Sequence, residues 1–75
     1  MSADIEAQLN YFREQNRVSG FDIWLRVSSA GVSFMFLEPS TEKVRFISRV
    51  APVNGPGEFR AALDAAIGAA RRPAA

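Results

Sequence analysis

The chain has 75 residues, which suffices for one domain with a thin hydrophobic core. It contains no cysteine and no histidine, which excludes disulfides, thiolate metal sites and the commonest general base. The formal net charge of +1 excludes both a polyanion that mimics DNA and a strongly basic nucleic-acid binder. The longest apolar run, VSFMFL, is too short to span a membrane, and the acidic N-terminus differs from a signal peptide, so we expect a cytoplasmic protein.

The first predicted element is a helix over residues 2–17. Its apolar side chains recur at helical spacing and form one stripe, made of Ile5, Leu9 and Phe12. Ser2 is the predicted N-cap, and Gly20 provides the turn in which the helix ends. We expect the apolar stripe to face the core of the domain.

Three strands are predicted next, at about residues 21–28, 32–37 and 43–50. Gly31 supplies a positive φ in the first connection, and Pro39 is suited to the second position of the following turn. Because parallel neighbours need long crossover connections, these short turns predict an antiparallel meander.

The last predicted element is a helix over residues 56–72. Pro56 fits the first helical turn, Glu58 lies where a carboxylate can cap the preceding backbone, and Pro73 ends the helix. The apolar stripe and its small neighbours are Phe59, Leu63 and Ile67 with Ala62, Ala66 and Ala70. The order of the elements predicts a single α+β domain over residues 1–75, of the form αβββα.

Side-chain alternation divides the predicted sheet into two faces. One face is almost wholly apolar and wide enough for two helices, so we predict that both helices pack on it. It consists of Phe21, Ile23, Leu25, Val27, Val32, Phe34, Phe36, Val44, Phe46 and Val50. The other face carries tryptophan, methionine and arginine, residue types that are enriched where proteins bind one another. The predicted partner-binding residues on it are Trp24, Arg26, Met35, Arg45, Ile47 and Arg49.

The one tryptophan of the chain, Trp24, allows three interpretations. In the first interpretation, Trp24 belongs to a binding site, because an exposed apolar patch usually marks one. Alternatively, Arg26 or Arg45 stacks on its ring as a local cation–π pair that holds the sheet surface together. In the third interpretation, one helix covers each face of the sheet and Trp24 is part of the core.

No residue pattern in the chain indicates catalysis, and we expect no enzymatic activity, no cofactor and no metal site. Glu38 and Glu42 bracket a turn, but two carboxylates are too few to enclose calcium. Gly55 and Gly57 precede a helix N-terminus, where backbone amides can bind anions. Because the lysine and hydroxyl of a P-loop are missing, this segment favours a helix cap.

Three classes of function remain. The first is a protein-binding module that docks on a larger partner. The second is a nucleic-acid binder, in which Trp24 stacks on a base and the strand arginines contact phosphates; the near-neutral net charge disfavours it. The third is a homodimer with a structural or regulatory role that uses the open face as its own contact. This contact brings like arginines together across the two-fold axis, which costs energy unless Asp22 or Glu42 pairs with them.

In size, cysteine-free composition and helix–sheet–helix plan, the chain resembles the small anti-CRISPR inhibitors encoded by phages. The alanine- and arginine-rich tail AARRPAA is typical of a GC-rich bacterial host or its phage. The resemblance implies stoichiometric docking on a CRISPR effector complex, without a cofactor, inside a bacterial or phage-infected cell. Because the chain lacks the acidic excess needed to mimic DNA, the resemblance implies that it blocks a protein surface.

Overall fold

A computed structural model describes residues 3–72, with side chains from residue 5 onward. Its elements are helix α1 (Ala3–Val18), strands β1 (Asp22–Ser28), β2 (Gly31–Leu37) and β3 (Val44–Ile47), and helix α2 (Pro56–Arg71). The predicted αβββα order is therefore confirmed. The predicted cap at Ser2 and the predicted stop at Pro73 lie outside the described residues.

The three strands form an antiparallel sheet in the order β1-β2-β3, which confirms the predicted meander. The hairpin between β1 and β2 has a regular register that pairs Trp24 with Met35 and Arg26 with Ser33. It closes at Gly31, whose φ of 140° is a conformation that L side chains rarely adopt. The predicted positive φ at this turn is confirmed.

Both helices pack on the same face of the sheet, and the buried ring of Phe34 is where they meet. Its centroid lies 6.3 Å from that of Phe12 on α1 and 5.8 Å from that of Phe59 on α2. Ala66 and Ala70 are buried on α2, as expected where a helix approaches its neighbour closely. The predicted arrangement is confirmed, and the alternative with one helix on each face is wrong.

The cover over this face is incomplete at its margins. Ile5 and Leu9 on α1 remain partly exposed, because α1 packs more against α2 than against the sheet. Among the residues predicted to face the helices, Val27 is 71% exposed and Val50 is also exposed. Val44 pairs with Leu37, which alternates with the buried Phe36, so the predicted position of Val44 under the helices is wrong. Two narrow helices thus bury the centre of the face and leave its periphery open to solvent.

Strand β3 is shorter than predicted because its pairing is irregular. Phe36 pairs with Phe46, whereas Leu37 pairs with Val44, so Arg45 is an extra residue opposite the β2 ladder. Such a bulge bends the strand and re-aims the side chain of the extra residue. The strict alternation assumed for residues 43–50 therefore fails at this position.

Beyond β3, Ser48 and Ala51 keep the chain against β2, and the Ser48 backbone N–H donates to the Phe34 carbonyl at 2.9 Å. The Ser48 hydroxyl accepts a hydrogen bond from the Phe34 backbone N–H at 2.8 Å, where a regular ladder would use a carbonyl. Val32 and Ala51 then exchange two backbone hydrogen bonds of 2.9 and 2.8 Å. These contacts replace the second half of the strand that the sequence predicts.

The start of α2 follows the predicted capping chemistry. Pro56 occupies the first helical position, where its missing N–H leaves no hydrogen bond unmade. The Glu58 carboxylate accepts a hydrogen bond from the Asn54 backbone N–H at 2.9 Å. The segment before α2 is therefore a helix cap, as the sequence indicates.

A polar contact joins the two helices beside the aromatic core. The Tyr11 hydroxyl donates a hydrogen bond to the Asp64 carboxylate, and the Arg60 guanidinium carbon lies 4.3 Å from the Tyr11 ring centroid. The hydrogen bond to Asp64, followed by burial, raises the pKa of Tyr11 above its ordinary value. The contact stabilises helix docking while the phenol is protonated.

Replacing Gly31 with alanine is expected to destabilise the fold by at least about 2 kcal/mol. The new Cβ would overlap the Ala51 carbonyl and lie 2.9 Å from Pro52 Cα, in a backbone conformation that strains any L residue. Gly68→Ala is the matched control, because Gly68 is an exposed helical residue with open space around it, and alanine there should stabilise by about 0.5–1 kcal/mol. Urea unfolding measures both changes, and equal stability of Gly31→Ala and wild type would contradict the turn geometry.

The contact between Tyr11 and Asp64 predicts a loss of stability at alkaline pH. Because the folded-state pKa is raised, its contribution is fully present below about pH 10, the pKa of a free tyrosine, and is lost as the pH rises through the folded value. Tyr11→Phe lacks the contribution throughout, so the stability difference between the two proteins should shrink from pH 9 to pH 11. Denaturant unfolding across this range measures it; a constant difference would contradict the coupling.

Candidate functional site

The uncovered face of the sheet carries a row of three large apolar side chains, one from each strand. The register places Trp24 opposite Met35, and Met35 opposite Ile47. Trp24 is 58% exposed and Ile47 is 61% exposed, while Met35 is half-buried between them. We call Trp24, Arg26, Ser33, Met35 and Ile47 the open face. The predicted exposure of Trp24 is confirmed.

The indole of Trp24 is held by a neighbour on the same face of the same strand. Its Nε1–H donates a hydrogen bond to the Asp22 carboxylate at 3.3 Å. No arginine stacks on its ring within the described part of the chain, where the cation–π pair is that of Arg60 and Tyr11. The interpretation of Trp24 as one member of a local cation–π pair is therefore wrong, and Asp22 orients the indole instead.

A cleft opens beside the tryptophan, because the central strand carries a small residue there. Ser33 is 8% exposed and lies directly opposite Arg26. The cleft has a volume of about 290 Å³ and is lined by Trp24, Leu25, Arg26, Ser33, Phe34, Met35 and Ile47. Sequence reasoning missed Ser33 as a site residue, because its position opposite Arg26 depends on the register of the hairpin, in which Ser28 pairs with Gly31.

Arg26 is an unpaired cation at the edge of this cleft. Among the side chains of residues 5–72, the one ion pair joins Arg17 to Glu14, and the guanidinium of Arg26 makes neither an ion pair nor a hydrogen bond with any of these residues. Asp22 lies four residues away along the same strand, about 13 Å at the rise of a β-strand, so it is too distant to pair with Arg26. The open face therefore combines an apolar surface with one available positive charge.

One arginine predicted for this face, Arg45, is directed elsewhere. Arg45, the bulged residue, donates from Nε to the Ala70 carbonyl at 3.4 Å, where a cation favours the C-terminal end of α2. Arg49 lines a groove of about 240 Å³ beside the alanines of α2. Since α2 covers the opposite side of the sheet, the predicted placement of Arg45 beside Trp24 is wrong, and that of Arg49 stays a prediction.

One further apolar groove, of about 350 Å³, lies between α1 and the β1–β2 hairpin. Its lining consists of Ile5, Gln8, Leu9, Leu25, Val27, Ser28, Gly31, Val32, Val53 and Phe59. It contains no charged side chain and no ring as exposed as that of Trp24. The open face is the stronger candidate site, since only there do an exposed indole and an unpaired arginine adjoin one cleft.

The described residues contain no cluster of three or more histidine, cysteine, aspartate or glutamate side chains that could hold a metal ion. None of the helices in residues 3–72 has the length and apolar character needed to cross a membrane. The open face itself offers aromatic, thioether, aliphatic and guanidinium groups. This set of groups binds by contact and by ion pairing.

The geometry predicts that Trp24 fluorescence is red-shifted and readily quenched by acrylamide in the folded protein. The single tryptophan makes the signal specific, and its exposure should persist from micromolar to millimolar concentration if the open face is uncovered. Asp22→Asn is the control, because its side-chain oxygen can still accept the indole hydrogen bond, and its fluorescence should match that of wild type. A blue-shifted, protected emission at low concentration would contradict the open face.

Comparison with known proteins identifies no relative of this chain. No protein-family model, no curated protein and no solved structure matches the chain. Function must therefore be inferred from the chemistry of the open face.

Proposed function

We propose that the protein is a non-enzymatic binding module that docks stoichiometrically on a larger protein through its open face. The observation that carries the proposal is the row of Trp24, Met35 and Ile47 across three strands, beside a cleft with an unpaired arginine. Tryptophan, methionine and arginine are the residue types enriched at protein interfaces, and tryptophan and arginine dominate their binding energy.

The hydrogen bond that holds the Trp24 indole in one orientation favours specific docking over nonspecific contact. Because Asp22 holds the Trp24 side chain, less rotational freedom is lost when a partner packs against it. Met35 is a flexible neighbour that adapts to the shape of the partner. These two properties suit a central anchor surrounded by adaptable contacts.

The alternative functions receive less support from the geometry. A nucleic-acid binder needs several cations around the stacking ring, but only Arg26 adjoins Trp24, since Arg45 contacts α2. A homodimer through the open face would place two copies of Arg26 near a two-fold axis, and the Asp22 carboxylate that could pair with them also accepts the Trp24 indole N–H. A protein partner of different sequence therefore fits best.

Within this proposal, the resemblance to phage-encoded anti-CRISPR inhibitors makes a CRISPR effector complex the first partner to test. The protein would act in the cytoplasm of a bacterial or phage-infected cell and block a protein surface of the complex. The near-neutral net charge supports surface blocking over mimicry of DNA.

Trp24→Ala is expected to weaken partner binding by at least about 2 kcal/mol, or about thirtyfold in affinity, without unfolding the domain. The exposed indole contributes little to the core, so the unfolding midpoint should stay close to that of wild type. The measurement is the affinity for a purified CRISPR effector complex, followed for other partners by comparative pull-downs from bacterial lysate. Val18→Ala is the matched control, because Val18 is a similarly exposed apolar residue at the end of α1.

Equal capture by wild type and Trp24→Ala would contradict docking through the open face. Binding to single-stranded DNA or RNA that weakens steeply with salt would favour the nucleic-acid alternative. Protection of Trp24 that disappears on dilution would favour the homodimer.

A further inference from the structure

We propose that the open face recognises a protein segment in which an apolar side chain lies next to an aspartate or glutamate. The apolar group would sit over Ser33, and the carboxylate would pair with Arg26. This inference rests on the proposed function, because it specifies the chemistry of the partner at the same surface.

The shape of the cleft suits a single side chain. Its volume of about 290 Å³ falls just below the 300–1,000 Å³ usual for small-molecule sites. Trp24 and Ile47 belong to the two outer strands, and the small Ser33 on the central strand leaves the depression between them. An apolar side chain entering there contacts an aromatic ring and aliphatic groups, and the buried serine remains below it.

The charge beside the cleft specifies the second group. Ser33 and Arg26 are direct cross-strand neighbours, whose Cβ atoms lie about 5 Å apart in such pairs. Docking over Ser33 therefore removes water from the Arg26 guanidinium, which has no partner among the side chains of residues 5–72. A desolvated cation is costly unless a carboxylate accepts its hydrogen bonds, and arginine pairs with carboxylates in a bidentate geometry.

The surroundings favour a carboxylate of another protein over other anions. Asp22 lies on the side of Trp24 away from Arg26, with about 7 Å between the Cα atoms of Asp22 and Trp24, so a chain of phosphates crossing the indole would meet a like charge. A second copy of this protein could offer Asp22 from its own open face, but that carboxylate would have to accept hydrogen bonds from the Trp24 indole and from Arg26 together. A segment of a different protein can offer a carboxylate without this competition, and it is the occupant that we propose.

The experiment is a selection of displayed random seven-residue peptides, flanked by uncharged linkers, against wild type and surface variants. Wild type should enrich peptides that place an aspartate or glutamate beside an apolar residue. With Arg26→Glu, the enrichment of these peptides should fall at least about tenfold, and peptides with lysine or arginine at the position of the carboxylate should be enriched instead. Arg13→Glu, the same charge change on α1, should select the wild-type motif.

Two further variants test the cleft separately from the charge. Ser33→Leu fills the depression and should remove the preference for an apolar residue, whereas Ser33→Ala leaves the space and should retain it. For a selected peptide, replacing its glutamate with glutamine should weaken binding to wild type at least about tenfold and leave binding to Arg26→Gln nearly unchanged.

The outcomes separate this inference from the proposed function. If wild type and Arg26→Glu select the same peptides, and Trp24→Ala selects none of them, docking through the open face stands and carboxylate recognition is overturned. Peptides that are retained by Trp24→Ala contradict the open face itself. Failure of wild type to enrich any peptide, or a Trp24-dependent dimer in sedimentation, overturns the proposed occupant.

Discussion

The packing of Phe34 between the two helices is the interaction on which the rest of the structure depends. Its ring, on the central strand, contacts Phe12 of α1 and Phe59 of α2, and it is almost completely buried. A chain of this length hides only roughly 60–65% of its unfolded surface. Because both helices are used to cover Phe34, none is left for the other side of the sheet. The open face is thus a consequence of how the core is built.

Strand β2 couples the core to the open face. Val32, Phe34 and Phe36 are buried under the helices, while Ser33 and Met35 alternate with them toward the uncovered side. A shift of register by one residue would exchange these two sets. The tight turn that ends at Gly31 and the bonds between Val32 and Ala51 fix the register from both neighbouring segments. The same constraint that buries Phe34 therefore sets the floor of the cleft.

The sequence predicts the fold more completely than the site. Short turns and alternating apolar residues suffice for the order of elements, the meander and the shared face of the helices, and they also place Trp24 outside. The bulge at Arg45 could not be predicted in this way. One extra residue reverses the alternation of inward and outward side chains along β3, and the segment EKVRF contains no local signal for it. The cleft over Ser33 depends on cross-strand register, a relation between distant residues that periodicity along one strand does not contain. The exposure of Val27 reflects the limited width of two helices, which an apolar pattern does not measure.

Both edges of the sheet are partly closed to pairing, which makes the open face the more accessible surface for a partner. At β1, the Asn16 side chain accepts the outward N–H of Ile23 at 2.9 Å. At β3, the strand has four residues, a bulge at Arg45, and Lys43 directly before it. Short charged edges of this kind resist added strands.

Burial of a large apolar side chain contributes about 1.5–3 kcal/mol, a substantial part of the stability of so small a domain. In the free protein the exposed Trp24 side chain does not make this contribution, and we infer that it is buried when a partner binds.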